Sequence, residues 1–321
     1  MIKIVDFSKC ELSSRNLEYG GRAGEKKGII FENAFWFLKF PKTTAGMDVE
    51  NDLSYTTSPL SEYIGSHIFE ILGYNVHKTI LGVCLDGNKY KVVCACKDFI
   101  NSKEDEILIP YTALRNDTNP VLNERDFIPT SASSISEIIH QLKYNTALSS
   151  IDNATQLFWD VLLIDLLINN NDRNEDNWGV IKNKKTAKYK MAPVYDCGNS
   201  FNSKASEKKI EGILNDFQKL QSSSLNGVTA YADDKLERIS IRDILDIKNK
   251  DLSESVLRVS NIVYDKLSEI EKFINDIPES YKGIQIISKA RKTYYFETFK
   301  IRYFSLLRAH AYVLSLKKKT K

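Results

Sequence analysis

Asp172, Arg173, Asn177 and Asp196 are the residues whose types and spacing most suit chemistry. They lie in N-N-N-D-R-N-E-D-N-W-G, followed after a short interval by A-P-V-Y-D-C-G. Trp178 to Lys182 reads as a strand, Asn183 to Thr186 as a turn, and Lys188 to Tyr195 as a returning strand. A hairpin brings its ends together, so Asn177 before it should lie beside Asp196 after it, with Asp172 upstream in the same loop. One acid to accept a hydroxyl proton, plus an amide and an acid to hold Mg²⁺, is what phosphoryl transfer requires. The other reading is a polar turn followed by an ordinary hairpin.

A second group lies near the start. Gly20, Gly21 and Gly24 fall in G-G-R-A-G-E-K-K-G, whose backbone N–H groups could approach phosphates, although a glycine-rich loop is also a common hairpin turn. Gly28 to Glu32 and Phe35 to Phe40 read as two strands joined across Asn33-Ala34, the second carrying Lys39. Both faces of that strand look buried, so the ammonium needs a partner, for which α/β-phosphates and a carboxylate would serve; an edge lysine reaching water is the alternative. Ser58-Pro59 opens a helix with Leu60, Ile64, Ile68, Ile71 and Leu72 on its apolar face and Gly73 at its end. Glu62, off that face, is the first choice for Lys39's partner, and Glu70 the second. Strands at His77 to Val83 and Lys89 to Ala95 flank the turn Asp86-Gly87-Asn88. Cys96-Lys97-Asp98-Phe99 then reads as a hinge whose backbone can meet adenine, which assigns Lys97 and Phe99 to ATP.

The element that must hold the polar loop is the helix from Gln156. Leu157, Val161, Ile164, Leu167 and Ile168 recur at helical spacing, with Phe158, Trp159 and Leu162 on the flanks, so the helix should be buried nearly all round. Asp152 is its expected N-cap, and the run Asn169 to Asp172 stops it. Further helices are expected at Glu137 to Tyr144, Ser253 to Ile274 and Ala290 to Leu316, and Asn199 to Asp233 reads as an exposed loop with short helical pieces.

D-R-x-x-x-N, the hairpin and A-P-V-Y-D-C-G, together with G-G-R-A-G-E-K-K-G and F-W-F-L-K-F-P at residues 35–41, resemble the HipA-like serine/threonine kinases over most of the chain. The resemblance implies an α+β, two-lobed protein kinase-like fold, with a small β-rich N-lobe to about residue 100 and a larger, mainly helical C-lobe. It implies an ATP- and Mg²⁺-dependent kinase acting on Ser/Thr hydroxyls of a protein substrate, and on itself. Asp172 would be the catalytic base, Asn177 and Asp196 the metal ligands, and Lys39 the α/β-phosphate ligand. Asn174 stands where many of these kinases carry His; an amide can bond the loop but cannot titrate. A lipid or small-molecule kinase of phosphoinositide-kinase type shares D-R-x-x-x-N, and a pseudokinase acting by binding is the third reading.

Composition bounds these readings. The chain has 321 residues, 42% of them hydrophobic, enough for a sizeable core in about two lobes. No apolar run reaches membrane-spanning length, and M-I-K-I-V-D-F lacks a signal-peptide core, so the expectation is cytoplasmic synthesis. Export into host cells is implied by the resemblance alone. Five cysteines without a C-x-x-C pair argue for a reducing compartment, and four histidines far apart in sequence make zinc sites and hydrolase triads poor bets. A net charge of +3 is too balanced for a dedicated nucleic-acid binder. The tail Lys317-Lys318-Lys319-Thr320-Lys321 reads as a helix end, with nuclear import or an anionic-lipid contact as alternatives.

Overall fold

The computed structural model describes residues 2–13, 26–45, 54–118 and 133–319. The chain forms two compact units, one of residues 1–99, 197–224 and 265–301, the other of 100–196, 225–264 and 302–321. Gly20, Gly21 and Gly24 lie outside the described residues.

The first unit is built on a six-stranded sheet of β1 (Val5–Asp6), β2 (Glu11–Leu12), β3 (Lys26–Phe31), β4 (Ala34–Lys39), β5 (Thr79–Asp86) and β6 (Lys89–Lys97), in the order β1-β5-β6-β4-β3-β2. Alternation along β4 places Trp36 and Leu38, with Phe40 beyond, in a core with Phe7, Ile29 and Val93. Phe35, Phe37 and Lys39 face the other way and are only half-buried, so the expectation of two buried faces holds for one. Phe31 pairs with Ala34, which moves the β3–β4 turn to Glu32-Asn33. Both adopt left-handed backbone, φ 48° and 56°, the twist a two-residue hairpin requires.

Helix α1 (Ser58–Ile71) packs on β5 and β6. Pro59 stands in its first turn, and Gly73 follows its C-cap Leu72 with a φ of 86° that suits a residue without Cβ. Its other side is covered too: Ser61 Oγ donates to Ser200 O at 2.9 Å, and Tyr63 packs on Phe273 with ring centroids 5.8 Å apart. That second cover buries Glu62, although the residue lies off the apolar stripe.

In the second unit β7 (Glu106–Pro110), α2 (Tyr111–Thr118), β8 (Ser133–Ser134), α3 (Ile135–Tyr144) and α4 (Thr146–Ser149) precede α5 (Ala154–Ile168). Helix α5 is buried over most of its circumference, and its N-cap is Asn153 rather than Asp152. In its last turn the carbonyl of Leu167 accepts a hydrogen bond from Nη1 of the buried Arg302 at 3.1 Å. Asn169 ends the helix with left-handed backbone, φ 55°. Strands β9 (Gly179–Asn183) and β10 (Tyr189–Met191) form the expected hairpin, but the return strand is short because Pro193 cannot donate to a ladder. β7 joins β9 on its other edge, a pairing unreadable from local sequence.

The remaining elements are α6 (Glu207–Leu214), α7 (Phe217–Leu225), β11 (Val228–Ala232), β12 (Arg238–Ser240), α8 (Lys250–Asp276), β13 (Ser280–Tyr281), β14 (Ile284–Gln285) and α9 (Lys289–Lys319). The segment after Asn199 is not the exposed loop its serines suggest. Ser200, Ser203 and Ser206 are buried, and Phe201, wholly buried, stacks on Tyr295 with ring centroids 4.8 Å apart. Among the described residues no helix is long and apolar enough to cross a membrane.

Candidate functional site

The sequence-predicted residues that the structure describes fall in two polar clusters, one in each unit. In the first, β4 presents Lys39 toward α1, where Nζ meets Glu62 Oε2 at 2.8 Å. The Lys39 side chain is 15% exposed and Glu62 is 0% exposed, so a carboxylate with no route to water faces an ammonium that keeps one. Burial alone would push the Glu62 carboxyl upward; the Lys39 charge, then the hydrogen bond and charge of His77, reverse this and hold it below the usual carboxylate range. Glu70 stands near His67 instead, 3.8 Å from its Nε2.

His77 is a residue that sequence reasoning missed. Its Nε2 lies 2.9 Å from Glu62 Oε1 and 3.2 Å from Ser66 Oγ, and the ring is buried. Together with Cys96 the pair brings three ligating atoms within 4.8 Å of one another. The Lys39 ammonium supplies Glu62 with a countercharge, while Glu62 Oε1 and His77 Nδ1 are buried without a hydrogen-bond partner among the described residues. Gly198 completes the setting of Glu62: a Cβ there would lie 3.2 Å from Oε2 and 3.5 Å from Ser58 O.

Lys97 ends β6, its N–H donating to Lys78 O at 2.9 Å and its Nζ 6.0 Å from the Trp36 ring centroid. Asp98 N–H donates to Phe35 O at 3.0 Å, so the strand's pairing extends into the expected hinge, and Phe99 is half-buried at the end of the unit's first segment.

In the second unit the loop after α5 is tied from beneath by Arg173. Its guanidinium grips Asp165, Nε to Oδ2 at 2.9 Å and Nη2 to Oδ1 at 3.1 Å, with both residues buried. Asn170 Nδ2 adds 2.9 Å to the same Oδ1. Arg173 Nη1 then donates to Asn177 O at 3.1 Å and to Tyr195 O. One guanidinium nitrogen therefore ties the backbone at both ends of the hairpin, immediately beside Asn177 and Asp196. Asp165 is the second residue missed; its signal was a lone acid, like Asp160, inside an apolar helix.

Asp172 is exposed, and its Oδ1 accepts from Asn174 Nδ2 at 3.1 Å. Asn174 Oδ1 accepts from Asp176 N–H at 3.0 Å, so the amide at the departure from the His pattern serves both the loop backbone and the acid. Asn177 Nδ2 donates to Asp172 O at 2.6 Å. That bond uses the amide nitrogen of Asn177 and leaves its Oδ1 as the candidate oxygen ligand, while Asp196, the candidate carboxylate, has left-handed backbone, φ 60°. An amide oxygen and a carboxylate are the hard donors Mg²⁺ prefers, and this pair fits it.

No protein-family model matches the chain. It is 27% identical to the serine/threonine-protein kinase CtkA of Helicobacter pylori over 284 residues, 85% of this chain and 79% of CtkA. A crystal structure of the Helicobacter pylori proinflammatory kinase CtkA superimposes with a TM-score of 0.82 at 24% identity, covering 98% of this chain and 99% of that one. HipA, in a Shewanella oneidensis MR-1 toxin–antitoxin complex with HipB and operator DNA, gives a TM-score of 0.53 at 12% identity, covering 98% of this chain and 75% of that one. The fold described above is thus that of the HipA-like kinases, and in sequence the chain resembles the serine/threonine-protein kinase CtkA.

Proposed function

We propose that this protein is a serine/threonine protein kinase that transfers the γ-phosphoryl group of ATP to hydroxyls of a protein substrate and of itself. The observation that carries this reading is the Lys39–Glu62 ion pair with its buried carboxylate, the strand lysine and helix glutamate of kinase catalysis, in a chain similar to a serine/threonine kinase along most of its length. Glu62, fixed and ionised, holds the Lys39 ammonium for the α/β-phosphates. Lys97 and Phe99 meet the adenine, and the loop at Gly20, Gly21 and Gly24 covers the phosphates. Asp172 orients the acceptor hydroxyl and takes its proton, an effect typically worth ~10²–10⁴-fold. Asn177 and Asp196 would hold Mg²⁺, which supplies countercharge to the β/γ-phosphates when bound. Arg173 keeps both ends of the hairpin fixed beneath them, so little reorganisation is left to the moment of transfer.

The test is transfer of label from γ-labelled ATP and Mg²⁺ to the protein itself and to a generic basic protein, with Lys39→Ala as the control. Wild-type label on Ser or Thr that drops by about 10²-fold or more in Lys39→Ala supports the reading. No label on any protein acceptor, or label on phosphoinositide vesicles instead, overturns it, and an unimpaired Lys39→Ala chain makes Lys39 a structural lysine.

A further inference from the structure

Glu62 is an unusual partner for a catalytic lysine because it has no water to fall back on. A carboxylate can turn about its last bond and offer either oxygen, or both, to an ammonium. In this unit the turn is blocked: Oε2 faces Lys39 at 2.8 Å, while Oε1 faces His77 Nε2 at 2.9 Å. The imidazole is oriented in its turn. Among the described residues its Nδ1 is buried without a hydrogen-bond partner, so the ring proton belongs on Nε2, which bonds Ser66 Oγ and stands 2.9 Å from Glu62 Oε1, a buried oxygen that the contact meets as charge against ring N–H rather than as an aligned hydrogen bond. His77 stands just before β5, which β6 separates from Lys39's strand in the sheet, so the two groups that face the carboxylate come from different elements.

We propose that His77 is a positioning residue for phosphoryl transfer: by holding Oε1 of Glu62 it reserves Oε2 for Lys39 and so sets where the ammonium stands. This rests on the kinase reading above. His77 touches neither nucleotide nor acceptor and acts through Glu62. Without the imidazole 2.9 Å away, Oε1 is a buried charged oxygen with no polar N–H facing it, and the least costly remedy is for the carboxylate to turn both oxygens onto Lys39, drawing the ammonium toward α1 and off the phosphates.

The experiment compares His77→Phe, which keeps a ring and loses the donor, with His77→Gln, which keeps an N–H donor, each alone and with Glu62→Gln. Steady-state transfer from γ-labelled ATP gives kcat and KM for ATP, and urea unfolding is followed in parallel. His77→Phe is expected to lower kcat/KM for ATP by about tenfold or more, His77→Gln to recover to within about threefold of wild type, and His77→Phe to change little, within about twofold, once Glu62 is already Gln. Equal losses with and without the Glu62 carboxylate, or a glutamine no better than phenylalanine, would overturn the proposal, since a merely structural ring gives that pattern. If His77→Phe does not fold, His77→Met against His77→Gln makes the same comparison at matched length. Failure of all three to fold assigns His77 to stability alone and also overturns it. An active wild type with an inactive Lys39→Ala and an indifferent His77→Phe defeats this inference only; a wild type that transfers no label defeats the kinase reading and this with it.

Discussion

Replacing Arg173 by Met tests whether the loop after α5 is held from below. The methionine fills much of the stem's volume but donates nothing. Asp165, 1% exposed, is then left with Asn170 Nδ2 as its side-chain donor among the described residues, and the carbonyls of Asn177 and Tyr195 lose the Arg173 guanidinium. Orphaning one member of a buried ion pair typically costs about 3–5 kcal/mol. With a urea slope of about 2 kcal/mol per molar, the unfolding midpoint of the second unit should fall by about 2 M. Trp36 lies in the first unit and Trp159 and Trp178 in the second, so fluorescence of a Trp36→Phe background reports the second unit alone. Adding Asp165→Asn removes the stranded charge while its Oδ1 still accepts from Asn170, and should return about half of the lost midpoint. Transfer should not return with it, because the two hairpin carbonyls are still unfastened and Asn177 and Asp196 are misplaced; it should stay depressed by at least about tenfold. A midpoint shift below about 0.5 M, a double variant no more stable than the single, or a wild-type rate in either would refute the reasoning.

Three further outcomes are expected. Asp196→Asn should weaken Mg²⁺-dependent ATP binding and transfer together, whereas Asp172→Asn should leave binding nearly intact and slow single-turnover transfer by ~10²-fold or more; equal losses of affinity by calorimetry would erase that division of labour. Gly198→Ala puts a Cβ 3.2 Å from a Glu62 oxygen that cannot yield and should lower kcat/KM for ATP by about tenfold; an unchanged value would mean the carboxylate has room. Because Lys39 and His77 hold the Glu62 carboxyl below its ordinary 4.5, the stability it brings is complete above that value and is lost as pH falls toward the lower folded value. The urea-midpoint gap between wild type and Glu62→Gln, read from Trp36 in a Trp159→Phe/Trp178→Phe background, should therefore narrow from about pH 6 to about pH 3, and a gap that widens on acidification would contradict the sign.

What could be read in advance was whatever neighbours in sequence determine. Apolar spacing marks α5, turn residues mark the β5–β6 hairpin, and Pro59 and Gly73 bracket α1. Motif resemblance led to the kinase fold, which the superposition on CtkA shows. Partners far along the chain were not readable. β7 finds β9 across about seventy residues, and the segment after Asn199 is buried where Phe201 stacks on Tyr295 and Ser61 of α1 bonds Ser200 O. Helical phase gave no sign of Glu62's burial, because phase describes one contact face, while α1 has two. His77 carried no local signal at all: its partner is on the preceding helix, and an isolated histidine before a strand is unremarkable by type.

Asp160 and Asp165 show what two acids do in an otherwise apolar helix. Arg258 holds Asp160 at 2.7 and 3.0 Å, as Arg173 holds Asp165. At about 100° per residue, five residues place the two grips roughly 140° apart around the axis and about 7.5 Å apart along it. Greasy side chains would let such a cylinder roll or slip by a residue at small cost, since one leucine replaces another. Two charges clamped from divergent directions allow one azimuth and one depth. The helix is keyed, like a shaft with two pins, and the direction in which its last turn releases the chain is inherited from that keying.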